Sequence, residues 1–560
     1  MGRVQIPFKI SSISMRLLAL AVVALGFGLR LYDLAAESLW YDELLELNIA
    51  QGPLMTIFSR LRGHSATPLD YVLVHFWLWA GRSDGWVRLP AVFWGMLALP
   101  LAYRLGRTLI RPAVGLLLML FLALSPFHVT YSQEVRPYAV VVVAVLLTVE
   151  GFWRLRLAGR RRHLLLLQLG LLISWLAHIF TLAIWGVLLL FALIDAGFSR
   201  SRIGPMRVLA GLALTALLPL AILIMLGWGD ILYYSSKGFG EAVVRPTQAD
   251  LESPRTGGPK LNRTLLLDEL AIPLSGAATG VWLGGLMALV GLGLVYLVSQ
   301  GQPKLALLLL LWLALPPVII VVFLISRGAF FAPRYLISIL PAYLLLVALG
   351  VVAGPGWLMQ KRKSRLAGLL FLIMIGVVLV NFWGELARLY QTKNKEDWRL
   401  VAQFIAANAG PADAVIAFHA EPTLNWYWPA VSAPPGYFNS LETIQQAVAA
   451  AGRGWVILSI FSSGADARLK AWLSEQQAIR LVLDPLVHVY YVGDGAPREQ
   501  LLAEIQQMAL PVDHALYASL ARENRRRPEI ARRYYELAIE AAPDETSRVE
   551  YQTALEALDP

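Results

Sequence analysis

The stretch SLWYDELLELNIAQG, Ser38 to Gly52, follows directly on the first long apolar run of the chain, about Ile13 to Leu34. It sets Asp42 and Glu43 side by side between Trp40, Tyr41 and a row of further apolar residues. Carboxylates at the edge of hydrocarbon are costly and tend to face a pocket or a partner. Two adjacent ones oppose each other's ionisation, and partial burial raises their pKa further, so one can act as a base while the other orients it or binds a metal. A carboxylate pair that merely marks the membrane boundary is the plainer alternative. The choice between them turns on whether the preceding run crosses a membrane and on which side the motif emerges.

Composition answers the first point. The chain is 57% hydrophobic and 15% charged over 560 residues, with a mean hydropathy of +0.59, far from a soluble enzyme. Residues 1–384 carry 32 Lys and Arg against 16 Asp and Glu, whereas residues 385–560 carry 16 against 22. The basic excess therefore belongs to the apolar part, where the positive-inside rule accounts for it without any nucleic-acid partner. Cysteine is absent, which removes disulfides, Cys-ligated zinc and thiol nucleophiles together. The first apolar run is too long for a signal peptide's h-region and lacks a small-residue cleavage site, so it reads as an uncleaved span.

A crossing needs about 20 mostly apolar residues. Candidates lie near 13–33, 88–106, 112–130, 137–154, 163–180, 182–198, 207–228, 280–299, 304–325, 335–353 and 366–384, which makes about 11 transmembrane helices. Lys and Arg mark every second connection, at Arg3 to Arg16, Arg104 to Arg111, Arg154 to Arg162, Arg200 to Arg207, Lys304 and Lys361 to Arg365. With the N-terminus inside, all these clusters are cytoplasmic and the C-terminal residues are exported. The segment Pro68 to Ala80 (PLDYVLVHFWLWA) is too short to cross, and crossing would invert every later cluster, so it reads as a juxtamembrane helix in the first external loop.

This topology gathers four polar islands on the external face: Trp40 to Glu43, Gln133 to Tyr138 (QEVRPY), His178, and Ala332 to Tyr335 (APRY). Glu134 and Arg136 come just before a helix break at Pro137, where an internal ion pair is one reading and a phosphate or carboxylate contact through Arg136 the other. Arg334 opens a span beside Tyr335, either as a snorkelling arginine or as an anion-binding one. His64 and His178 have no metal-binding spacing, yet with Asp42, Glu43 and Glu134 they supply enough N and O ligands for one divalent ion. The external loop at about 229–265 is rich in turn formers and is a candidate flap. The tail, 385–496, alternates β-like runs (AVIAF, WVILSIF, VHVYYVG) with helical stretches and predicts an exported α/β domain. Residues 497–560 turn helical and charged; Ala531, Tyr535, Ala538 and Pro543 fit half of a tetratricopeptide repeat, which predicts helical hairpins.

In order along the chain, Trp40-Tyr41-Asp42-Glu43, HSATPLDYVLVHFWLWAG with WVRLPAVFWG, SPFHVTYSQEVRPYA, His178 and RYLISILPAYLLLVALG resemble the GT-C membrane glycosyltransferases. The likeness is specifically to the dolichyl-phosphate-mannose-protein mannosyltransferase-like group, which includes protein O-mannosyltransferases and the lipid A aminoarabinose transferase, and it covers about residues 13–355. It implies a GT-C membrane domain over 1–384 with a catalytic carboxylate in the first loop, here Asp42 supported by Glu43. It implies a donor sugar on a polyprenyl phosphate, bound through Arg136, Arg334 and Tyr335, in a pocket with Tyr41, His64, Glu134, Tyr138 and His178. The acceptor would be a lipid, glycan or protein at the outer face of a prokaryotic plasma membrane, and no cofactor is required, although a divalent metal is compatible with Asp42, Glu134, His64 and His178. The chain departs from the pattern at His64-Ser-Ala-Thr-Pro68, where relatives carry two prolines directly after the basic residue. Two rival classes remain at this stage: a transporter or flippase of a lipid-linked or anionic substrate, and a membrane receptor whose tail binds a partner. The clustering of acids on one face and the lack of paired interrupted helices weigh against the first.

Overall fold

The structure, a computed structural model, describes residues 12–61, 67–198, 203–225, 271–277, 279–327, 331–360, 364–391, 395–418, 423–428, 436–438, 440–459, 467–484, 487–494, 500–501, 518, 521–522, 528–540, 542 and 545–558. The expected flap at 229–265, His64 and Pro543 lie outside the described residues. The chain divides into two compact units, a membrane unit of residues 1–36, 49–245 and 257–393 and a second unit of residues 37–48, 246–256 and 394–560.

The membrane unit is helical. Its elements are α1 (Ser12–Leu31), then, after α2 (Tyr41–Ala50), α3 (Leu54–Arg60), α4 (Pro68–Trp77), α5 (Asp84–Leu109), α6 (Pro112–Leu124), α7 (Pro126–Tyr131), α8 (Tyr138–Ala158), α9 (Arg161–Ala177), α10 (Leu182–Phe198) and α11 (Ile203–Met225). It continues through α12 (Ile272–Ser275), α13 (Gly280–Ser299), α14 (Pro303–Arg327), α15 (Leu340–Gln360) and α16 (Ser364–Gln391), with short 3-10 turns at Ile179–Thr181 and Pro333–Ile339.

Among the described residues eight helices are long and apolar enough to cross a membrane. The other three of the eleven expected crossings are α6, α9 and α11. Helix α6 stops after 13 residues, because Pro126 has no N–H to continue it and Ser125 Oγ caps α7 by accepting from His128 N at 3.4 Å. Helix α9 stops after 17 residues, at His178, and the described apolar stretch of α11 is Met206–Leu217. The segment expected to lie at the interface forms α4, ten residues long, or about 15 Å at the α-helical rise.

The core of this unit is the 3-10 turn Pro333–Ile339 with α15, whose span is wholly buried, while the spans of α1 and α16 are 17% and 22% buried and turn outward. Helices approach closely through glycine. A Cβ on Gly293 of α13 or Gly350 of α15 would collide with a backbone carbonyl of the facing helix, that of Leu346 or Leu289. Gly151 of α8 and Gly170 of α9 do the same, each Cβ falling 2.5 Å from a backbone nitrogen of the other helix. Small residues let membrane helices gain dispersion energy where water provides no hydrophobic drive. Irregular backbone after α12 is satisfied internally: Tyr343 Oη donates to Ser275 O at 3.1 Å and Asn381 Nδ2 to Gly276 O at 2.6 Å, as a membrane setting requires.

The second unit carries a five-stranded mixed sheet in the order β2-β1-β3-β5-β4, from β1 (Ala414–Phe418), β2 (Gly436–Phe438), β3 (Arg453–Ser459), β4 (Ile479–Asp484) and β5 (Val487–Gly493). β1 pairs in parallel with β2 and β3, and β5 in antiparallel fashion with β3 and β4. Strand alternation sends Trp455 toward Phe404 of α17 (Trp398–Asn408), and its neighbours Val456 and Leu458 into a core with Ile444 of α18 (Leu441–Ala451) and Leu473 of α19 (Ala467–Glu475). The sequence reading recognised three of these strands; β2, with three residues, and β4, with one face charged by Arg480, escaped it. At the end of the chain α20 (Pro528–Glu540) packs on α21 (Glu545–Glu556), with Ala531, Tyr535 and Ala538 buried. The apolar run ends at 384, but α16 continues to Gln391, so the unit boundary falls after 393.

Candidate functional site

The predicted site residues fall in both units. Arg136 and Tyr138 stand where α8 begins; Pro137 caps that helix, and Arg136 N donates to Glu134 O at 2.8 Å. Arg334 and Tyr335 belong to the 3-10 turn Pro333–Ile339, which packs on α8. His178 lies between them in the gap between α9 and the turn Ile179–Thr181. Its ring is 5.7 Å from Tyr138 and 5.8 Å from Tyr335, centroid to centroid. Arg136 Cζ sits 5.9 Å from the Tyr138 ring centroid and Arg334 Cζ 5.8 Å from that of Tyr335, cation–π distances in both cases. Both guanidinium groups act electrostatically on His178. The structure therefore joins Arg136, Tyr138, His178, Arg334 and Tyr335, residues up to 199 positions apart, in one aromatic and cationic cluster in which Tyr138 and His178 are buried and the other three half-buried.

Local bonds hold this cluster rigid. His178 Nδ1 accepts from Phe180 N at 3.3 Å, which leaves the proton of a neutral ring on Nε2. Phe180 in turn meets Tyr335 at 4.9 Å. Just upstream of Glu134, Gln133 Nε2 donates to the carbonyls of Arg30 (3.2 Å) and Tyr32 (2.9 Å), satisfying the open end of α1. Arg30, fully buried, donates to Gly26 O at 2.9 Å and lies 2.7 Å from His128 Nδ1, tying α1 to the break between α6 and α7. Among the described residues no carboxylate pairs with it. The sequence reading did not single out Arg30, whose only signal is an arginine in the last turn of an apolar span.

The acidic motif belongs to the second unit. Asp42 and Glu43, just past the first span, occupy the first turn of a separate helix, α2. The two carboxylates differ. Glu43 is fully buried, its Oε2 accepts from Trp40 N at 3.3 Å and lies 4.0 Å from Lys395 Nζ. That is half of a capping box, a structural task. Asp42 is half-buried. Tyr41 N donates to Glu396 Oε2 at 3.3 Å, and the same oxygen accepts from Trp398 Nε1 at 2.7 Å; the negative Glu396 thus sits at the positive end of α2. Leu39 N donates to Tyr427 Oη at 2.7 Å. Lys395, Glu396 and Tyr427 are neighbours of the acidic motif that the sequence alone did not disclose. The charged run Asn394 to Asp397 (NKED) was visible, but its partner more than 350 positions earlier was not.

Among the described residues no group of three His, Asp or Glu side chains is placed to hold a metal ion. Of the four residues considered for one, Asp42 lies in the second unit, Glu134 and His178 in the membrane unit, and His64 outside the described residues.

No protein-family model and no curated protein matches the chain. Solved structures do resemble it. ArnT from Cupriavidus metallidurans, in a structure bound to undecaprenyl phosphate, aligns with a TM-score of 0.55 at 14% identity over 86% of this chain and 98% of that one. The archaeal oligosaccharyltransferase AglB from Archaeoglobus fulgidus, in complex with an inhibitory peptide and a dolichol-phosphate, aligns at 0.51 and 12% identity over 97% of this chain and 86% of that one. Likeness at this level of identity is a likeness of fold: the chain has the GT-C fold of membrane glycosyltransferases.

Proposed function

We propose that the chain is a membrane glycosyltransferase that moves a sugar from a polyprenyl-phosphate-linked donor to an acceptor lipid, glycan or protein on the external face of a prokaryotic plasma membrane. The observation that carries this reading is the cluster of Arg136, Arg334, His178 and two tyrosines at the start of α8. A lipid phosphate needs cations and N–H donors in a setting that water does not screen, and it gains negative charge as the sugar departs. The N-terminus of α8 adds the positive end of its dipole to the same place. ArnT bound to undecaprenyl phosphate and AglB bound to a dolichol-phosphate share the fold, which supports a donor of that kind.

In the proposed step the acceptor oxygen or nitrogen attacks the anomeric carbon, and the bond from that carbon to the phosphate oxygen breaks. Polyprenyl phosphate leaves with the bonding electrons, stabilised by Arg136 and Arg334, and the acceptor's proton passes to the Asp42 carboxylate. One displacement with one base inverts the anomeric centre. Glu43, engaged in capping α2, supports Asp42 rather than sharing its task. In Asp42→Asn, turnover of purified enzyme should fall about 10²- to 10⁴-fold while binding of a labelled polyprenyl-phosphate sugar is kept. Unchanged turnover in a folded Asp42→Asn variant would sink the reading.

A further inference from the structure

At the end of α8 opposite Tyr138 lies a second concentration of positive charge, around a cavity of about 420 Å³. Its walls include Arg107, Thr108, Arg154, Arg160, Arg162 and His163. We propose that this cavity binds the headgroup of a net-anionic phospholipid of the surrounding membrane, at a site separate from the transfer chemistry by the length of α8, 21 residues, or about 31 Å.

Three observations carry the proposal. First, charge at the cavity is only partly balanced. Glu150 accepts from Arg104 Nε at 2.8 Å and Arg154 Nη2 at 2.7 Å, but among the described residues no carboxylate meets Arg107, Arg160 or Arg162. Arg207 adds a further guanidinium, 2.7 Å from where a Cβ on Gly159 would stand.

Second, His163 is 6% exposed and lines the cavity, its ring facing the charges of Arg162, Arg154 and Arg160. A phosphate there would offset the guanidinium charges that crowd this ring. Thr108 Oγ1, which accepts from Arg154 Nη2 at 2.8 Å, shows that the cavity wall already orients one of its arginines.

Third, the surface beside the cavity suits acyl chains. Leu157, in the cavity wall, is 57% exposed, and Leu165 and Leu169, one turn apart on α9, also face outward. A free anion makes no use of such a strip, whereas a lipid places its phosphate among the arginines and its chains along the leucines.

The test is thermal unfolding of the purified chain in neutral detergent, with phosphatidylglycerol, phosphatidylcholine or inorganic phosphate added. Phosphatidylglycerol should raise the melting temperature by at least about 3 °C and phosphatidylcholine should not. The double variant Arg160→Gln/Arg162→Gln and the single variant His163→Gln should each weaken the effect about tenfold in lipid concentration. Arg365→Gln, which removes an exposed arginine at the start of α16 and outside the cavity, should leave it intact. An equal rise with inorganic phosphate overturns the lipid assignment. An undiminished response in both cavity variants, or an equal loss in Arg365→Gln, overturns the site.

Discussion

Both ends of α8 carry arginines, and the two sets are held by different means. At the Ala158 end carboxylates fix part of the set: Glu150 takes Arg104 and Arg154, and Asp195 receives Lys304 at 2.7 Å and, through two bonds of 2.7 and 3.1 Å, Arg156, which also lies 5.2 Å over Trp153. At the Tyr138 end rings fix them, with Arg136 against Tyr138, Arg334 against Tyr335 and His178 between the two tyrosines. A carboxylate consumes a guanidinium's charge. An aromatic ring orients the guanidinium through its quadrupole. Under the proposed function, Arg136 and Arg334 are the arginines that meet the donor's phosphate, and those paired with Glu150 and Asp195 hold helices together.

The comparison breaks most visibly if the wrong end governs turnover. Arg136→Gln combined with Arg334→Gln should lower turnover about 10²- to 10³-fold in a donor-transfer assay, with little change in melting temperature. Lysine at the same positions should restore part of it as a point charge without the planar stack. Glu150→Gln should do the reverse. Arg104 and Arg154 are 46% and 32% exposed, so solvent screening reduces the loss from the several kcal/mol of a fully buried pair to about 1–3 kcal/mol of stability. Turnover per folded molecule should persist. A melting temperature unmoved by Glu150→Gln would show that its ion pairs do no structural work.

What could be foreseen from residues alone follows the same division. Apolar length, basic connections and the paired aromatics are local signals, so most of the long helices and the shared neighbourhood of Arg136, His178 and Arg334 could be reasoned out from spacing and parity. The ring distances that lock the cluster could not. Nor could the setting of the acidic motif: Tyr41 and Glu43 find Glu396 and Lys395 across some 355 positions, and no periodicity encodes a contact of that range. Arg30 escaped for a related reason, since a buried arginine bonded to carbonyls looks in sequence like a snorkelling one. β2 was missed because three residues are too few to show alternation.

Smaller effects sharpen the contrast further. Glu43→Gln removes part of the cap of α2 and should cost about 1 kcal/mol, with a far milder loss of turnover than Asp42→Asn; equal losses would make both carboxylates catalytic. The sheet of the second unit supplies an arginine–histidine pair as a control. His488 lies 2.8 Å from Arg480 Nη2, and burial, then the charges of Arg480 and Lys470, push its pKa down to about 4. An unfolded histidine titrates near 6.5. Between those values the unfolded chain binds the proton more readily, so stability should fall slightly as pH drops from about 6.5 to 4 and level off below. His488→Gln should flatten that slope in a melting-temperature series against pH.

The grouping of residues 37–48 with the chain beyond 394 changes what the C-terminal region is for. A tail appended to a membrane enzyme can ordinarily be trimmed away. Here the segment bearing the proposed base is stapled through Ser38, Leu39, Tyr41 and Glu43 to Lys395, Glu396 and Tyr427. Removing everything after position 393 would leave that loop unscaffolded, so grafting a new acceptor module onto this protein must keep the α/β domain and begin beyond it.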